Sequence, residues 1–245
     1  MSTIPATLIR ELQKRTGAGL VECKRALEES GGDIEQAVET LRMAAGAKAA
    51  NAGSYFNNQF LVAMPGLLDS HFTHSVTLLC EHSEQGALGL VINRPTELRL
   101  ADMLDHMKLD HPALDASRHI VHWGGPVQTE RGFVIHNEPG KWESTLKLSD
   151  SSQAPHGANT LYITTSKDIL SAIGQGQGPK QFLVALGYAG WAAGQLETEV
   201  LGNSWLNTPV DRAILFELPT ASRWQAATRL LGVDVTQLAG PAGHA

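Results

Sequence analysis

The sequence is short of cysteine, of long apolar runs and of basic residues. Its two cysteines, Cys23 and Cys80, fall in different predicted elements, so reduced thiols are expected and no disulfide framework is indicated. No apolar stretch approaches the roughly 18–20 residues that cross a bilayer. The opening segment, MSTIPATLIRELQKR, lacks the basic start and apolar run of a signal peptide. We therefore expect a cytoplasmic protein that does not contact membranes.

The formal net charge of −6 is unevenly distributed along the 245 residues. Residues 1–52 hold seven Lys/Arg and seven Asp/Glu, so residues 53–245 carry the whole negative balance. Non-specific nucleic-acid binding depends on basic side chains that neutralise phosphates. No basic stripe is present, so direct nucleic-acid binding is disfavoured. The 42% hydrophobic content is sufficient for a core, and the length fits one large domain plus a small one.

Residues 1–45, which we call the head, show apolar residues at the spacing of three short helices. Gly31 and Gly32 are typical of a helix end, and Asp33 followed by Gln36 is a helix-start pattern. Three helices of this size predict a compact bundle. The Ala/Gly-rich segment 46–54 is interpreted as a linker. The apolar positions of the three predicted helices are Leu8, Ile9, Leu12; Leu20, Cys23, Leu27; and Ile34, Ala37, Val38, Leu41.

Two functions compete for the head. A helix–turn–helix could read DNA, but the would-be recognition helix LVECKRALEES balances Lys24 and Arg25 with three glutamates, which repel phosphate. The string LIRELQKRTGAGLVECKRALEESGGDIEQAVETLR instead resembles the N-terminal domain of elongation factor Ts, of the three-helix ubiquitin-associated (UBA) type. The resemblance covers residues 4–45, and RTGAGLVECKRAL is its specific part.

That resemblance implies docking on the GTP-binding domain of elongation factor Tu. The candidate docking residues are Thr16, Gly17, Ala18, Gly19 and Leu20. The Thr-Asp-Phe-Val motif that belongs to nucleotide exchange in that family is absent, so an exchange factor is not implied. A solubilising or dimerising appendage is an equally open interpretation of the head.

Residues 55–245, which we call the body, change to apolar runs of strand length separated by turns. Several strands precede the first helices, which favours an α+β domain with a mixed, largely antiparallel sheet. Strands are predicted at 59–64, 76–82, 88–93, 119–123, 132–136, 145–148, 161–166, 182–188 and 212–218. Helices are predicted at 100–107, 166–174, 192–203 and 220–232, with Ser166 and Thr220 as N-caps and Gly232 as a terminator.

Several motifs of the body resemble the AlgH/YqgE family of bacterial proteins. They occur in a fixed order: NQFLVAMPGLLDSHFTHSVTLLCEHSEQGALGLVINRP, GGPVQTERGFVIH, LVALGYAGWAAGQLETEV, NSWL and the terminal GHA. The resemblance covers residues 57–245 and implies one compact α/β domain with a mixed sheet. It implies no particular reaction.

No catalytic constellation accompanies these motifs. The sequence contains no Gly-x-Ser-x-Gly elbow, no phosphate loop and no Gly-x-Gly-x-x-Gly after a strand. His119 and His122 lie three apart in a predicted strand and so point to opposite faces, while His71 and His74 lack an accompanying ligand pattern. We therefore expect no metal and no other cofactor, and a non-enzymatic role is favoured over an enzyme.

Polar residues at predicted strand ends form a candidate ligand or anion site. Asn93 and Arg94 follow an apolar strand that Pro95 is expected to stop, and glycines next to other polar groups permit close backbone approach. A strand-to-helix junction near Gly190 would offer backbone amides to an anion. The candidate residues are Asn93, Arg94, Gly124, Gly125, Gln128, Arg131, Tyr188, Trp191, Gln195 and Glu197.

Structural roles are open for the same residues. Arg94 could pair with Glu81 or Glu197 and tie the sheet together. Tyr188 and Trp191 could be core aromatics with one satisfied polar end. The competing hypotheses are thus a regulator or adaptor that docks elongation factor Tu, an enzyme or small-ligand sensor, and an engineered or chance fusion without joint function. The oligomeric state stays open.

Overall fold

The fold is given by a computed structural model, which divides the chain into two compact units, Met1–Ser54 and Tyr55–Ala245. The structure describes most of the second unit but only scattered residues of the first. The described residues are Pro5, Leu8, Glu11, Leu12, Arg15, Thr16, Ala26, Leu27, 30–38 and Leu41 in the first unit, and 55–67, 69–115, 119–148 and 160–232 in the second. The predicted linker at 46–54 lies outside the described residues.

The first unit has an apolar cluster of its own. Leu12, Leu27 and Ala37 are fully buried, Ala26 joins them, and Leu8, Ile34, Val38 and Leu41 pack against this cluster. Asp33 Oδ1 accepts hydrogen bonds from the backbone N–H groups of Glu35 (3.0 Å) and Gln36 (3.1 Å), which confirms the predicted N-cap. Residues 34–38 are helical after it. The three-helix, UBA-like arrangement stays a prediction.

The second unit contains ten strands and five helices within the described residues. The strands are β1 (Gln59–Ala63), β2 (Val76–Ser83), β3 (Gly86–Val91), β4 (Pro95–Arg99), β5 (Ile120–Trp123), β6 (Val127–His136), β7 (Thr145–Lys147), β8 (Tyr162–Thr164), β9 (Phe182–Ala192) and β10 (Trp205–Pro209). The helices are α1 (Leu100–His106), α2 (Lys167–Gly174), α3 (Gln195–Leu201), α4 (Arg212–Phe216) and α5 (Thr220–Leu230).

The ten strands form one curled sheet in the order β10-β1-β2-β3-β9-β6-β8-β7, with β5 also on β9 and β4 on β5. All of these pairs are antiparallel except β5–β9. A mixed, largely antiparallel sheet with flanking helices is therefore confirmed. The first part of β9 pairs with β6 and β5, and its last residues pair with β3, so this strand joins the two halves of the sheet.

A glycine makes the change of partners in β9 possible. Gly187 has φ +73°, a conformation that other residues resist, and a Cβ there would lie 2.4 Å from the carbonyl oxygen of Gly125. A side chain at this position would push the two backbones apart. Residue 187 is a glycine because β9 bends there and the backbone at Gly125 lies close to it.

Both faces of the sheet are covered. Successive residues of β1 alternate, so Phe60 and Val62 pack on the face beneath α4 and α5, while Leu61 and Ala63 pack with Leu196 of α3. The second apolar cluster lies where α1 and α2 cover β6 and β9, and it includes Leu104, Ile169 and Val184. Because both faces of the sheet are packed, polar residues that can form a binding site lie at the ends of the strands.

One predicted strand was wrong. The segment RAILFEL forms α4, because Asp211 Oδ1 accepts a hydrogen bond from Ile214 N (3.1 Å) and caps a helix at that point. A short apolar run does not distinguish a buried strand from a buried helix by periodicity. The adjacent buried pair Ile214 and Leu215 packs against the sheet from that helix.

Other boundaries also differ from expectation. The apolar strand β3 ends at Val91, before Pro95, and Pro95 begins a further strand, β4. β4 is a polar edge strand, which proline tolerates because one side of the strand is unpaired. The strand β10 was missed in the sequence. The N-cap of α5 is Pro219 and not Thr220, whereas Ser166 does precede α2 and Gly232 (φ +67°) follows α5 as predicted.

Candidate functional site

The loop between β3 and β4 presents Asn93 and Arg94 beside the start of β2. The side chain of Asn93 clamps that start, since its Oδ1 accepts from Val76 N (2.8 Å) and its Nδ2 donates to the carbonyl oxygen of His74 (2.8 Å). Both ends of this amide are therefore engaged. Asn93 shapes the site and leaves its neighbour, Arg94, as the charged group.

Arg94 has no carboxylate partner among the described residues. Its Nη2 donates to the carbonyl oxygen of Thr73 (2.5 Å), and its Nε is buried without a hydrogen-bond acceptor in that same part of the chain. The proposed pairing with Glu81 or Glu197 is wrong, because Glu197 contacts His82 and Arg94 turns to Thr73. A buried guanidinium N–H without an acceptor is destabilising by about 1–3 kcal/mol. The positive charge of Arg94, which has no carboxylate partner among the described residues, would favour an incoming anion.

A second arginine lies behind the same loop. Arg223 of α5 is 6% exposed and donates to the backbone carbonyl oxygens of Ile92 and Leu218. The described residues place no carboxylate within ion-pair distance of it. Burial lowers the pKa of Arg223 to about 10, which leaves it charged at neutral pH. Its charge, next to residue 93, adds to the positive potential around Arg94.

Asn93 and Arg94 line an open pocket of about 440 Å³, which we call the Arg94 pocket. No acidic residue lines it. The first residues of α5 form one wall, and the backbone N–H groups that begin a helix have no intrahelical acceptors. The lining residues are Ser70, Thr73, His74, Asn93, Arg94, Thr220, Ala221 and Trp224. Hydroxyls, an amide, an imidazole and a guanidinium together suit an oxyanion.

Aromatic packing holds the wall in place. The ring of His74 meets the Trp224 ring edge-on at 4.4 Å between centroids, and Trp224 Nε1 donates to the carbonyl oxygen of Ala63 (2.9 Å). His74 also has φ +55°, so the turn that carries it is tightly bent. The pocket is thus built from three segments that are separate in the sequence, residues 70–74, 93–94 and 220–224.

The predicted glycines have a structural role. A Cβ at Gly124 would lie 2.3 Å from the carbonyl oxygen of Gly187, and one at Gly125 would lie 2.0 Å from the carbonyl carbon of Tyr188. The close approach anticipated at these glycines is therefore to β9 of the same chain. Tyr188 lies within β9 and packs against the core with an edge-on contact to Phe133 (6.0 Å).

Gln128 and Arg131 lie together on the exposed part of β6. Arg131 Nη1 donates to Gln128 Oε1 (3.3 Å), and the Arg131 guanidinium stands 5.3 Å from the Phe133 ring centroid. Neither residue lines the Arg94 pocket.

The expected strand-to-helix junction is present but lies after Gly190, because β9 continues through Ala192 and α3 begins at Gln195. Trp191 is 7% exposed and its Nε1 donates to Glu199 Oε2 (2.9 Å). Trp205 Nε1 donates to the same oxygen (2.8 Å), and Gln195 Nε2 donates to the other one (2.9 Å). We call these four residues the Glu199 cluster.

Glu197 belongs to a neighbouring and equally satisfied contact. His82 Nδ1 accepts from Phe56 N (3.0 Å), so the ring proton of neutral His82 sits on Nε2 and is donated to Glu197 Oε1 (3.0 Å). Both ring nitrogens are occupied, and the His82 side chain is 1% exposed. This imidazole has no free lone pair for base catalysis.

The described cysteine is not a reactive thiol. Burial raises the pKa of the Cys80 thiol far above its ordinary range, which suppresses the nucleophilic thiolate. Within the same residues, no three His, Cys, Asp or Glu side chains converge as metal ligands would. None of the helices described combines the length and apolar composition that a membrane crossing requires.

Of the ten predicted site residues, the structure therefore brings Asn93 and Arg94 into one pocket and distributes the other eight elsewhere. It adds Ser70, Thr73, His74, Thr220, Ala221 and Trp224. The apolar strand before Asn93 was the only local signal, because the other segments are distant in sequence. In the head, Thr16 Oγ1 donates to the carbonyl oxygen of Leu12 (2.7 Å), and Gly17, Ala18, Gly19 and Leu20 lie outside the described residues.

Comparison with known proteins identifies the body. The sequence profile of the AlgH-like family, DUF179, matches residues 60–236. The chain belongs to the AlgH-like family. A UPF0301 protein of Thioalkalivibrio sulfidiphilus is 54% identical over 194 residues, which are 79% of this chain and 99% of that protein. A UPF0301 protein of Methylococcus capsulatus is 49% identical over 78% of this chain and 96% of its own length.

Solved structures agree with the AlgH-like assignment. The solution structure of the AlgH protein from Pseudomonas aeruginosa has 47% sequence identity and a TM-score of 0.61, covering 78% of this chain and 97% of that one. A crystal structure of a Corynebacterium diphtheriae protein, 18% identical with a TM-score of 0.55 over 70% of this chain and 85% of that one, shares the fold. These likenesses confirm the AlgH-like body.

Proposed function

We propose that this chain is a non-enzymatic regulatory protein whose AlgH-like body binds a small oxyanion in the Arg94 pocket. The observation that carries the proposal is the Arg94 side chain. Its guanidinium lies on a pocket without acidic residues, and its buried Nε has no acceptor among the described residues. The Cys80 thiol is buried and both ring nitrogens of His82 are hydrogen-bonded, which favours sensing over catalysis.

Phosphate and sulfate are the probes for this site, with acetate as a weaker carboxylate comparison. About 10 mM phosphate, for a Kd near 1 mM, is expected to raise the Tm by about 4 °C. Arg94→Met should abolish the rise. Arg229→Met removes an exposed arginine of the same helix, α5, outside the pocket, and should leave the rise intact.

The same titration distinguishes an anion in the Arg94 pocket from one bound at Arg131. A loss of binding in Arg131→Met, with Arg94→Met unaffected, would move the anion to the exposed part of β6. An unchanged Tm with phosphate and sulfate at saturating concentration would overturn the proposal.

A second candidate function concerns the head, which would dock elongation factor Tu and confine the protein to the cytoplasm. The buried cluster around Leu12, Leu27 and Ala37 favours it, since a docking module needs an apolar core of its own. The resemblance of residues 4–45 to the elongation factor Ts N-terminus supplies the partner. In that case the body would report an anion to the translation machinery.

Calorimetric titration of elongation factor Tu into the full chain and into residues 55–245 tests the docking. The shorter chain is a natural unit, because the UPF0301 relatives match the body over nearly their whole length. Heat from the full chain alone would support docking, and Leu20→Asp should then remove it. If neither chain gives heat, the head is an appendage of an engineered or chance fusion.

A further inference from the structure

A second cavity, of about 310 Å³, opens on the opposite part of the sheet, where α1 and α2 cover β6 and β9 incompletely. Its lining is mostly apolar, and the polar residues on it are His106, Glu130, Thr164, Thr165, Ser166 and Lys167. Met103 of α1 and Met107, directly after that helix, both line it. We call it the methionine cavity. The side chains that the argument uses are Met103, Met107, Val134, Leu170 and Leu186. Flexible methionines adapt their shape to an apolar guest, and the volume lies at the lower end of small-molecule pockets, about 300–1,000 Å³.

The floor of the methionine cavity includes a glycine that the backbone does not require. A Cβ at Gly132 would meet nothing closer than Leu186 Cδ2 at 3.9 Å, and the φ of this residue is not positive. Gly124 and Gly125, by contrast, would clash at 2.3 Å or less with a Cβ in place. Position 132 thus leaves open a space that any side chain would partly fill.

The rim of the cavity carries opposite charges on two different elements. Glu130 comes from β6 and Lys167 from the first turn of α2, and both side chains are exposed. Neither takes part in an ion pair with any other residue that the structure describes. Both charges are therefore available to a guest that carries an ammonium and a carboxylate group. The helix start itself is already occupied, because the Asp168 carboxylate accepts from Ile169 N and Glu143 N.

An apolar interior below a rim with one anion and one cation has a specific complement. We propose that the methionine cavity binds a free apolar α-amino acid such as leucine, methionine or phenylalanine. Its side chain would enter the cavity, its carboxylate would face Lys167 and its ammonium group would face Glu130. The volume accommodates about ten non-hydrogen atoms at the ~30 Å³ that a water molecule occupies in the liquid. This site is independent of the Arg94 pocket.

Isothermal titration with L-leucine, L-methionine and L-phenylalanine tests the proposal on the full chain. We expect a Kd on the order of 1 mM or tighter for at least one of them. Two analogues of leucine separate the charges: 4-methylpentanoate lacks the ammonium group, and 3-methylbutylamine lacks the carboxylate. Both should bind more weakly, by up to about fivefold, because an exposed charge contact contributes up to about 1 kcal/mol.

Gly132→Val is the decisive variant, since it fills the cavity from a position with room for a side chain. Binding should be lost while the Tm is kept or raised, because replacing a strand glycine restricts the unfolded chain. Gly190→Ala is the matched control: it changes a strand glycine of β9 outside the cavity, where the nearest atom to a Cβ is Tyr188 Cε2 at 3.5 Å. That control should bind normally.

Lys167→Met and Glu130→Gln complete the test by removing one rim charge each. Lys167→Met should weaken leucine binding but not that of 3-methylbutylamine, and Glu130→Gln should weaken leucine binding but not that of 4-methylpentanoate. The proposal is overturned if none of the three amino acids gives heat at about 10 mM, or if Gly132→Val binds as the wild type does. Equal affinity for leucine and for both analogues would also overturn it, because Glu130 and Lys167 would then not contribute to binding.

Discussion

The Arg94 pocket and the Glu199 cluster are two charged regions on the same sheet, and they differ in how their charges are met. In the Glu199 cluster, one carboxylate accepts three hydrogen bonds, two from buried indoles and one from Gln195. In the Arg94 pocket, the guanidinium keeps one backbone carbonyl and a buried Nε without an acceptor among the described residues. Acidic residues are absent from the pocket's lining.

This difference separates a structural charge from a binding charge. A buried polar network that is fully satisfied makes the fold rigid and offers nothing to a ligand. A partly satisfied charge on a pocket can gain its missing hydrogen bond from a ligand. The sequence-based candidate site combined residues from both regions, and the hydrogen bonds distinguish the regions. Substitutions should therefore act on stability in one region and on binding in the other.

The largest effect is expected from Glu199→Ala. The buried Trp191 and Trp205 indoles would each lose their acceptor, which predicts a loss of about 4 kcal/mol in the free energy of unfolding. Urea titration at neutral pH measures it, with Glu199→Gln as a control that keeps one acceptor oxygen and should lose less. If the free energy of unfolding falls by less than in an ordinary surface substitution, water satisfies both indoles. Glu199 would then not be a structural charge.

A somewhat smaller effect is expected in the pH dependence of the free energy of unfolding, through His122. Burial, and then the positive charge of Arg223, lower the pKa of His122 to about 4 from an ordinary 6.5. The unfolded chain therefore binds the proton first, so this contribution is complete above about pH 6.5 and is lost as the pH falls toward 4. The loss is about 3 kcal/mol between pH 7 and pH 4.

His122→Leu removes this titration while keeping a side chain of similar size. The difference in unfolding free energy between wild type and variant, measured by urea titration at both pH values, isolates the histidine from all other groups. Parallel pH dependence in the two proteins would contradict the depressed pKa of His122.

The smallest effect on stability is expected from Arg94→Met without any anion. The variant loses one hydrogen bond to Thr73 but also removes a buried N–H that has no acceptor in the described chain, so the change should be about 1 kcal/mol or less. Urea titration in a buffer of low ionic strength provides the measurement. A loss as large as that of Glu199→Ala would mean that Arg94 is a structural charge like the glutamate.

Local patterns were sufficient for much of the fold. The apolar runs of β1, β2 and β9, and the caps at Asp33 and Ser166, depend on neighbours within a few residues, and the structure has these elements where they were expected. The failures have one cause. The segment 212–218 and the polar strand β4 take their form from a cap or from a pairing partner that periodicity does not reveal.

The candidate site was less predictable than the fold. Asn93 and Arg94 stood out because polar residues follow an apolar strand, but their partners come from residues 70–74 and 220–224. Gly124 and Gly125 suggested close backbone approach, which is correct, yet the approaching backbone is that of β9. Spacing within a segment carries no information on which distant segment comes close.

The sequence by itself determined the alternation of apolar and polar residues, the helix caps, the AlgH-like motifs and the lack of a basic stripe. These are local or compositional properties, because side-chain period, capping and net charge need no knowledge of the fold. Tertiary structure alone decided which charges are neutralised. It placed Glu199 under two indoles and Arg94 beside the start of α5, because these contacts join segments that are distant in the sequence.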